Sequence, residues 1–148
     1  MSFESFFYPH AVVVNGSMSE GKLGQVLLKK IIDGGYEGKL FAVNPKAQGA
    51  FGIQGFPSVA SIGEPVDLAV IVSPASTVPS VLDDCGKAGL KAAVVITAGF
   101  SEMGNKAGED EVLEAAKRNH IRVIGPNCAG IVCTSHKFFP TLEIHPPQ

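Results

Sequence analysis

The sequence is poor in features that would stabilise or anchor a chain from outside its own core. Three cysteines, Cys85, Cys128 and Cys133, form an odd set with no CxxC pair. Neither a disulfide framework nor a thiolate zinc site is expected, and a reducing cytoplasm suits such a chain. The longest apolar runs, such as Leu68 to Val72 and Ala92 to Ile96, fall far short of the ~20 residues of a membrane span. The opening MSFESFFYPH carries Glu4 and lacks both a basic n-region and a small-residue cleavage site, so it does not read as a secretory signal. Charge of one sign is also missing. Lys and Arg number 12 against 14 Asp and Glu, for a net charge of −2 with no long block of either sign. That balance gives no field to hold nucleic acid.

What is present fits one domain: 148 residues suffice for a single well-buried core. Four short β-branched runs, Ala11–Val14, Leu40–Val43, Leu68–Val72 and Ala93–Ile96, show no polar alternation. Strands of that kind are covered on both faces, as in a parallel sheet. A fifth, Ile121–Ile124, follows Asn119-His120. Between them lie three helical stripes: Leu23, Val26, Leu27, Ile31 and Ile32; Val78, Val81, Leu82 and Cys85; and Val112, Leu113, Ala115 and Ala116. Gly34-Gly35 and Gly89 are placed to end the first two helices with left-handed caps. A Gly-rich excursion at Gln48–Ile62 is expected to hold a small extended piece and a brief helix. Strict alternation of strand and helix predicts an α/β, Rossmann-like, doubly wound parallel sheet of about five strands in one domain over residues 1–135. Residues 136–148, ending in Pro-Pro-Gln, read as the start of a linker.

In such a sheet, ligands bind beyond the carboxyl ends of the strands. After the first strand stands NGSMSEGKLG, with Gly16 and Gly21-Lys22 at the spacing of a P-loop. Leu23 stands where that motif needs Ser or Thr for Mg²⁺. GxGxxG fails as well, because position 18 is Met. The strand, glycine turn and helix still describe an anion site, since backbone N–H groups at a helix start favour phosphate.

After the second strand come Asn44-Pro45-Lys46. Enzymes that bind NAD place an acid here for the ribose hydroxyls. Lys46 instead suits a phosphorylated ribose, or is simply a solvated turn lysine. Ser73-Pro74-Ala75 follows the third strand, where the proline is equally well placed to start a helix. The fourth runs into Thr97-Ala98-Gly99, and the fifth into the turn Gly125-Pro126-Asn127-Cys128-Ala129-Gly130. Cys128 alone of the three cysteines lies in a ligand-edge loop; Cys85 and Cys133 read as core. No catalytic set emerges. His10, His120, His136 and His145 read as surface residues, and Glu102 is the only carboxylate close to a strand-end loop.

The segments FFYPHAVVVNGS, GKLG, YEGKLFAVNPK, EPVDLAVIVSPA, AAVVITAGFSE and IRVIGPNCAGIV, in this order and spacing, resemble the CoA-binding domain of the NDP-forming (ADP-forming) acyl-CoA synthetases, relatives of the succinyl-CoA synthetase α subunit. The resemblance covers about residues 6 to 133. It implies coenzyme A as the cofactor and no metal. Gly16, Ser17, Met18, Ser19 and Lys22 would hold its phosphates, with Lys46 at the nucleotide. Ser73, Pro74, Ala75, Thr97, Ala98 and Gly99 would line the other side, and Asn127 and Cys128 would lie near the thiol. One departure is Asn15-Gly16-Ser17-Met18, where the family commonly reads Ile-Gly-Ala-Ser.

The implied partners are CoA or acyl-CoA and a downstream phosphohistidine domain with an ATP-grasp domain or subunit, so that this chain would be a non-catalytic fragment of a ligase. Neither nucleic acid nor membrane is implied. Three other readings stay open: the CoA-binding module of a protein lysine acetyltransferase, a stand-alone CoA-binding protein, and an NADP-binding Rossmann domain. Lys46 permits the last, and the missing GxGxxG opposes it.

Overall fold

A computed structural model of the chain describes residues 9–97 and 104–125. Six parallel strands run β1 (Ala11–Asn15), β2 (Lys39–Val43), β3 (Gly55–Phe56), β4 (Leu68–Ile71), β5 (Ala92–Val95) and β6 (Arg122–Ile124). Among the described residues three helices accompany them: α1 (Leu23–Asp33), α2 (Val78–Lys87) and α3 (Lys106–Arg118). The spatial order β3-β2-β1-β4-β5-β6 is the dinucleotide-fold order, which reverses direction between β1 and β4. The sixth strand beyond the expected five is the small extended piece of the Gly-rich excursion. Two residues long, it pairs Ala42 with Gly55 and Val43 with Phe56, and the brief helix after it is a single 3₁₀ turn, Ala60–Ile62.

Between their polar ends the central strands are apolar because they feed two cores. Ala11, Val13, Ala69, Ile71, Ala93 and Val95 face α2 and α3, where Leu82, Cys85, Val112 and Ala115 are buried. Val12, Val14, Leu68, Val70, Ala92 and Val94 face α1, with Leu27, Leu28 and Ile31. Period-2 side chains on a strand covered twice leave no position for a polar residue.

Two helical stripes are buried largely as expected, but each leaves one expected leucine in solvent. The buried face of α1 is Gly24, Leu27, Leu28 and Ile31, an i, i+3, i+4, i+7 set, so Leu23 is left half exposed. On α3 the buried set is Val112, Ala115 and Ala116, and Leu113 likewise points to solvent. Cys85 is fully buried on α2, and burial pushes its thiol up to about 12. Bidentate hydrogen bonds from Arg118 Nε and Nη2 to Asp83 (2.9 and 2.8 Å), with Asn119 Nδ2 donating to the same carboxylate, tie α3 to α2. They hold the Asp83 carboxyl down to about 2. No described helix is long and apolar enough to cross a membrane.

All three helices end in the same way. After α1, Tyr36 N–H donates to Ile31 O and Gly35 N–H to Ile32 O, with Gly35 at φ +88°. This is a Schellman motif with its left-handed residue at the position glycine favours. Gly89 (φ +84°) plays the same part after α2. After α3 the residue is His120, at φ +55°, with Ile121 N–H donating to Ala116 O and His120 N–H to Lys117 O. A side chain there carries the steric cost of the left-handed region. Replacing the exposed His120 by glycine is therefore expected to stabilise the fold by about 0.5–1 kcal/mol, part of the gain being offset by the added freedom of the unfolded chain. Chemical denaturation of His120→Gly beside the unmodified chain checks this; an unchanged or lower midpoint would show that the His120 side chain makes a compensating contact.

Candidate ligand-binding site

The buried polar residues of the described chain are Asn15, Asn44, Ser73 and Thr97, and each stands at the carboxyl end of a different central strand. Register explains why they share one edge. Asn15 pairs with Val43 and with Ile71, and Ile71 pairs with Val95, so β2, β1, β4 and β5 finish level. At this edge the order of the sheet reverses, and chains leaving β1 and β4 diverge to open a crevice.

The first loop is pressed between α1 and β4. A Cβ on Gly16 would lie 2.6 Å from Val72 Cγ2, and one on Gly24 would collide with Ser17 O. Gly24 is needed because backbone passes backbone there, and at Gly16 the Val72 side chain occupies the space a Cβ would take. Within the loop, Ser17 Oγ accepts from Ser19 N–H (3.2 Å) and Gln25 Oε1 from Gly21 N–H (3.1 Å). Lys22 is the N-cap of α1 and makes no side-chain capping bond, leaving the first-turn N–H groups without a cap from that side chain. Met18 differs from its neighbours: its side chain is buried in the α1 core, so only its backbone faces the loop.

After β2, Asn44 is fixed at both ends of its amide, with Nδ2 donating to Gln48 O (2.8 Å) and Oδ1 accepting from Gln48 N–H (3.0 Å). That turn carries Pro45 and the exposed Lys46 outward. After β5, Thr97 Oγ1 donates to Ser73 O at 2.8 Å, joining the ends of β4 and β5. Ser73 Oγ itself is buried without a hydrogen-bond partner. Asp84, on α2, accepts from Val59 and Ala60 N–H at 2.6 and 3.2 Å and so clamps the 3₁₀ turn against α2.

Three adjoining hollows result, and Ser73 and Pro74 line all of them. One of about 400 Å³ is bordered by Ser17, Lys22, Leu23, Gly24, Ala75 and Thr97. A second of about 290 Å³ adds Gly16, Asn44, Lys46 and Gln48. The third, about 460 Å³, runs toward Pro57, Ser58, Ser80 and Asp84. Together they form a groove across the ends of β2, β1, β4 and β5, bordered by two lysines and, at one end, a carboxylate.

Of the residues expected from sequence, the groove brings together Gly16, Ser17, Lys22, Lys46, Ser73, Pro74, Ala75 and Thr97. Ser19 stays in the first loop without lining it. Ala98, Gly99, Asn127 and Cys128 lie outside the described residues, as do Glu102, Cys133, His136, His145 and the expected linker. His10 and His120 precede β1 and β6 and are exposed at the opposite, amino edge. Sequence reasoning missed Asn15, Asn44, Thr77 and Asp84. A polar residue closing an apolar strand run was the available signal for the two asparagines; nothing local marked Asp84. Among the described residues no cluster of three or more His, Cys, Asp or Glu is placed to hold a metal.

Comparison with known proteins agrees with this fold. The chain is 46% identical over 95% of its length to an ADP-forming acetate–CoA ligase of Methanocaldococcus jannaschii, of which it covers 20%. It is 41% identical over 95% of its length to the α subunit of ADP-forming acetate–CoA ligase I of Pyrococcus furiosus, of which it covers 32%. Its structure superposes with a TM-score of 0.90 and 38% identity on the apo form of a Ca. Korarchaeum cryptofilum dinucleotide-forming acetyl-coenzyme A synthetase 1, covering 95% of this chain and 31% of that one. The chain thus spans a third or less of the length of these relatives. Residues 10–134 match the family described as CoA binding domain, and the chain belongs to that family.

Proposed function

We propose that this chain is the CoA-holding part of an ADP-forming acyl-CoA synthetase, and that its carboxyl-edge groove binds CoA or acyl-CoA. The observation that carries the reading is the set of groups in that groove. Uncapped N–H groups of α1, Lys22 and Lys46 converge on it, and the β2 end supplies a lysine where a ribose-binding acid would stand in an NAD site. These donors fit a phosphorylated nucleotide carrier. The α1 first turn and Lys22 hold the diphosphate, Lys46 the ribose phosphate, and Pro74, Ala75 and Thr97 border the way toward β5. Asn127 and Cys128 belong to the thiol end in this reading. The bound carrier supplies the thiol that accepts the acyl group; the residues of this chain orient it and keep its anionic end fixed.

Activation of the acid then falls to other parts: a phosphohistidine domain and an ATP-grasp domain, joined in one chain or held on a partner subunit. The names of the relatives favour a small carboxylic acid such as acetate. A cytoplasmic location belongs to the same proposal, since a free buried Cys85 suits a reducing compartment. The lysine acetyltransferase and stand-alone readings receive no support from the relatives named above.

Titration calorimetry of the 148-residue chain tests the reading. CoA is expected to bind, with NADH and NADPH far weaker, and NADPH binding as tight as CoA would overturn it. Lys46→Ala is expected to cost about tenfold in Kd for CoA, the lower end of a charge-assisted contact because Lys46 is solvated. Dephospho-CoA, which lacks the ribose phosphate, should be nearly unaffected by that substitution. An equal loss for both ligands would move Lys46 to the diphosphate.

A further inference from the structure

Ser73 Oγ is the one buried side-chain nitrogen or oxygen among the described residues that has no hydrogen-bond partner. Folded proteins pair nearly all such atoms, because an unpaired buried hydroxyl costs stability with nothing gained in return. Its neighbours at the same edge obey the rule: Asn44 is bonded through both ends of its amide and Thr97 Oγ1 donates to the Ser73 carbonyl. The exception sits where the strand order reverses, on the wall common to all three hollows, between Lys46 on one side and Lys22 on the other.

We propose that Ser73 Oγ is a hydrogen-bond donor held in reserve for the ligand. Rotation about χ1 turns the hydroxyl from its buried position into the groove, where it donates to an unesterified oxygen of the carrier's diphosphate. No hydrogen bond is broken on leaving the buried rotamer, and the three staggered wells of serine put the groove within one rotation. The diphosphate is the group addressed because Ser73 stands opposite the first loop and the start of α1, where Ser17, Lys22 and Gly24 border the same hollow. The inference rests on the CoA reading above and adds to it a residue that trades stability of the empty protein for affinity.

That trade gives an opposed pair of signs. In Ser73→Ala, melting of the empty chain is expected to rise by about 2–4 °C, the size of shift that removing one orphaned hydroxyl gives in a domain of this length. At the same time CoA and dephospho-CoA, which share the diphosphate, should each bind about five- to tenfold more weakly. Ser73→Cys, close in shape and a poor donor, should lose affinity for both ligands as well and provides the reading if the alanine variant does not fold. A lower melting temperature of the empty Ser73→Ala chain would make the hydroxyl structural and overturn the inference. So would unchanged affinity for CoA, or a loss confined to CoA and absent with dephospho-CoA. Failure of the unmodified chain to bind CoA is a separate result: it would sink the functional reading and the inference with it.

Discussion

The approach of the first loop to β4 and to the start of α1 is the constraint on which the rest of the carboxyl edge depends. Only hydrogen occupies the Cβ positions of Gly16 and Gly24, where a methyl group would strike Val72 Cγ2 and Ser17 O. With those contacts closed, the loop lies flat, Met18 drops into the α1 core, and the helix begins at Leu23 with its first-turn N–H groups beside Ser73 and Thr97. A side chain at Gly24 would lift the loop and turn those donors elsewhere, and one at Gly16 would have to displace the Val72 side chain. The glycines that matter are therefore eight residues apart, at 16 and 24, and the P-loop-like pair at Gly16 and Gly21 is only partly the relevant one. Gly21 takes φ +79° in open space; it shapes the turn without meeting anything.

The two edges of the sheet handle polar groups in opposite ways. At the amino edge Asp67 Oδ2 accepts from His10 and Ala11 N–H at 2.8 and 3.0 Å, and Tyr36 donates to Pro9 O at 2.9 Å. The start of β1 is thus closed by side chains from neighbouring segments. At the carboxyl edge the strands end level and polar, Thr97 bridges two carbonyls, and Ser73 is left unpaired. A parallel sheet has such an exposed row of ends by construction, so its polar groups must be completed from somewhere. Here one hydroxyl is left uncompleted, the arrangement that the proposed binding role would use.

The strands were legible because burial on both faces demands an unbroken apolar run without polar alternation, a demand that needs no tertiary information to recognise. Helix faces were less so. Leu23 and Leu113 fit an apolar stripe by spacing, yet both lie toward solvent while Gly24 and the pair Ala115 and Ala116 are buried; at Gly24 the backbone of the first loop leaves no room for a larger side chain. β3 had no periodic signal at all; two residues form a strand only because β2 offers them an edge. In the groove, Gly16, Pro74 and Lys46 after Pro45 could be found because special backbone leaves a mark on sequence. Asp84 could not. Its carboxylate earns its place by binding Val59 and Ala60 N–H, 25 and 24 residues away, and no pattern local to α2 records that.

The character of the first loop also decides what kind of phosphate it suits. A loop that drives phosphoryl transfer needs a hydroxyl on Mg²⁺ at the position Leu23 occupies, and carboxylates to complete the metal's shell. Leu23 instead lays an apolar side chain, 48% exposed, along the hollow that also holds Lys22 and Ser17. Lysines and backbone N–H groups bind a diphosphate firmly while leaving its bonds unpolarised by a metal. Binding energy gathered at such a remote anionic end is available to position a reacting group far away on the same molecule. In the proposed reading the groove grips the part of its ligand that does not react, and the reacting end extends past Thr97, beyond the row of strand ends that fixes the other.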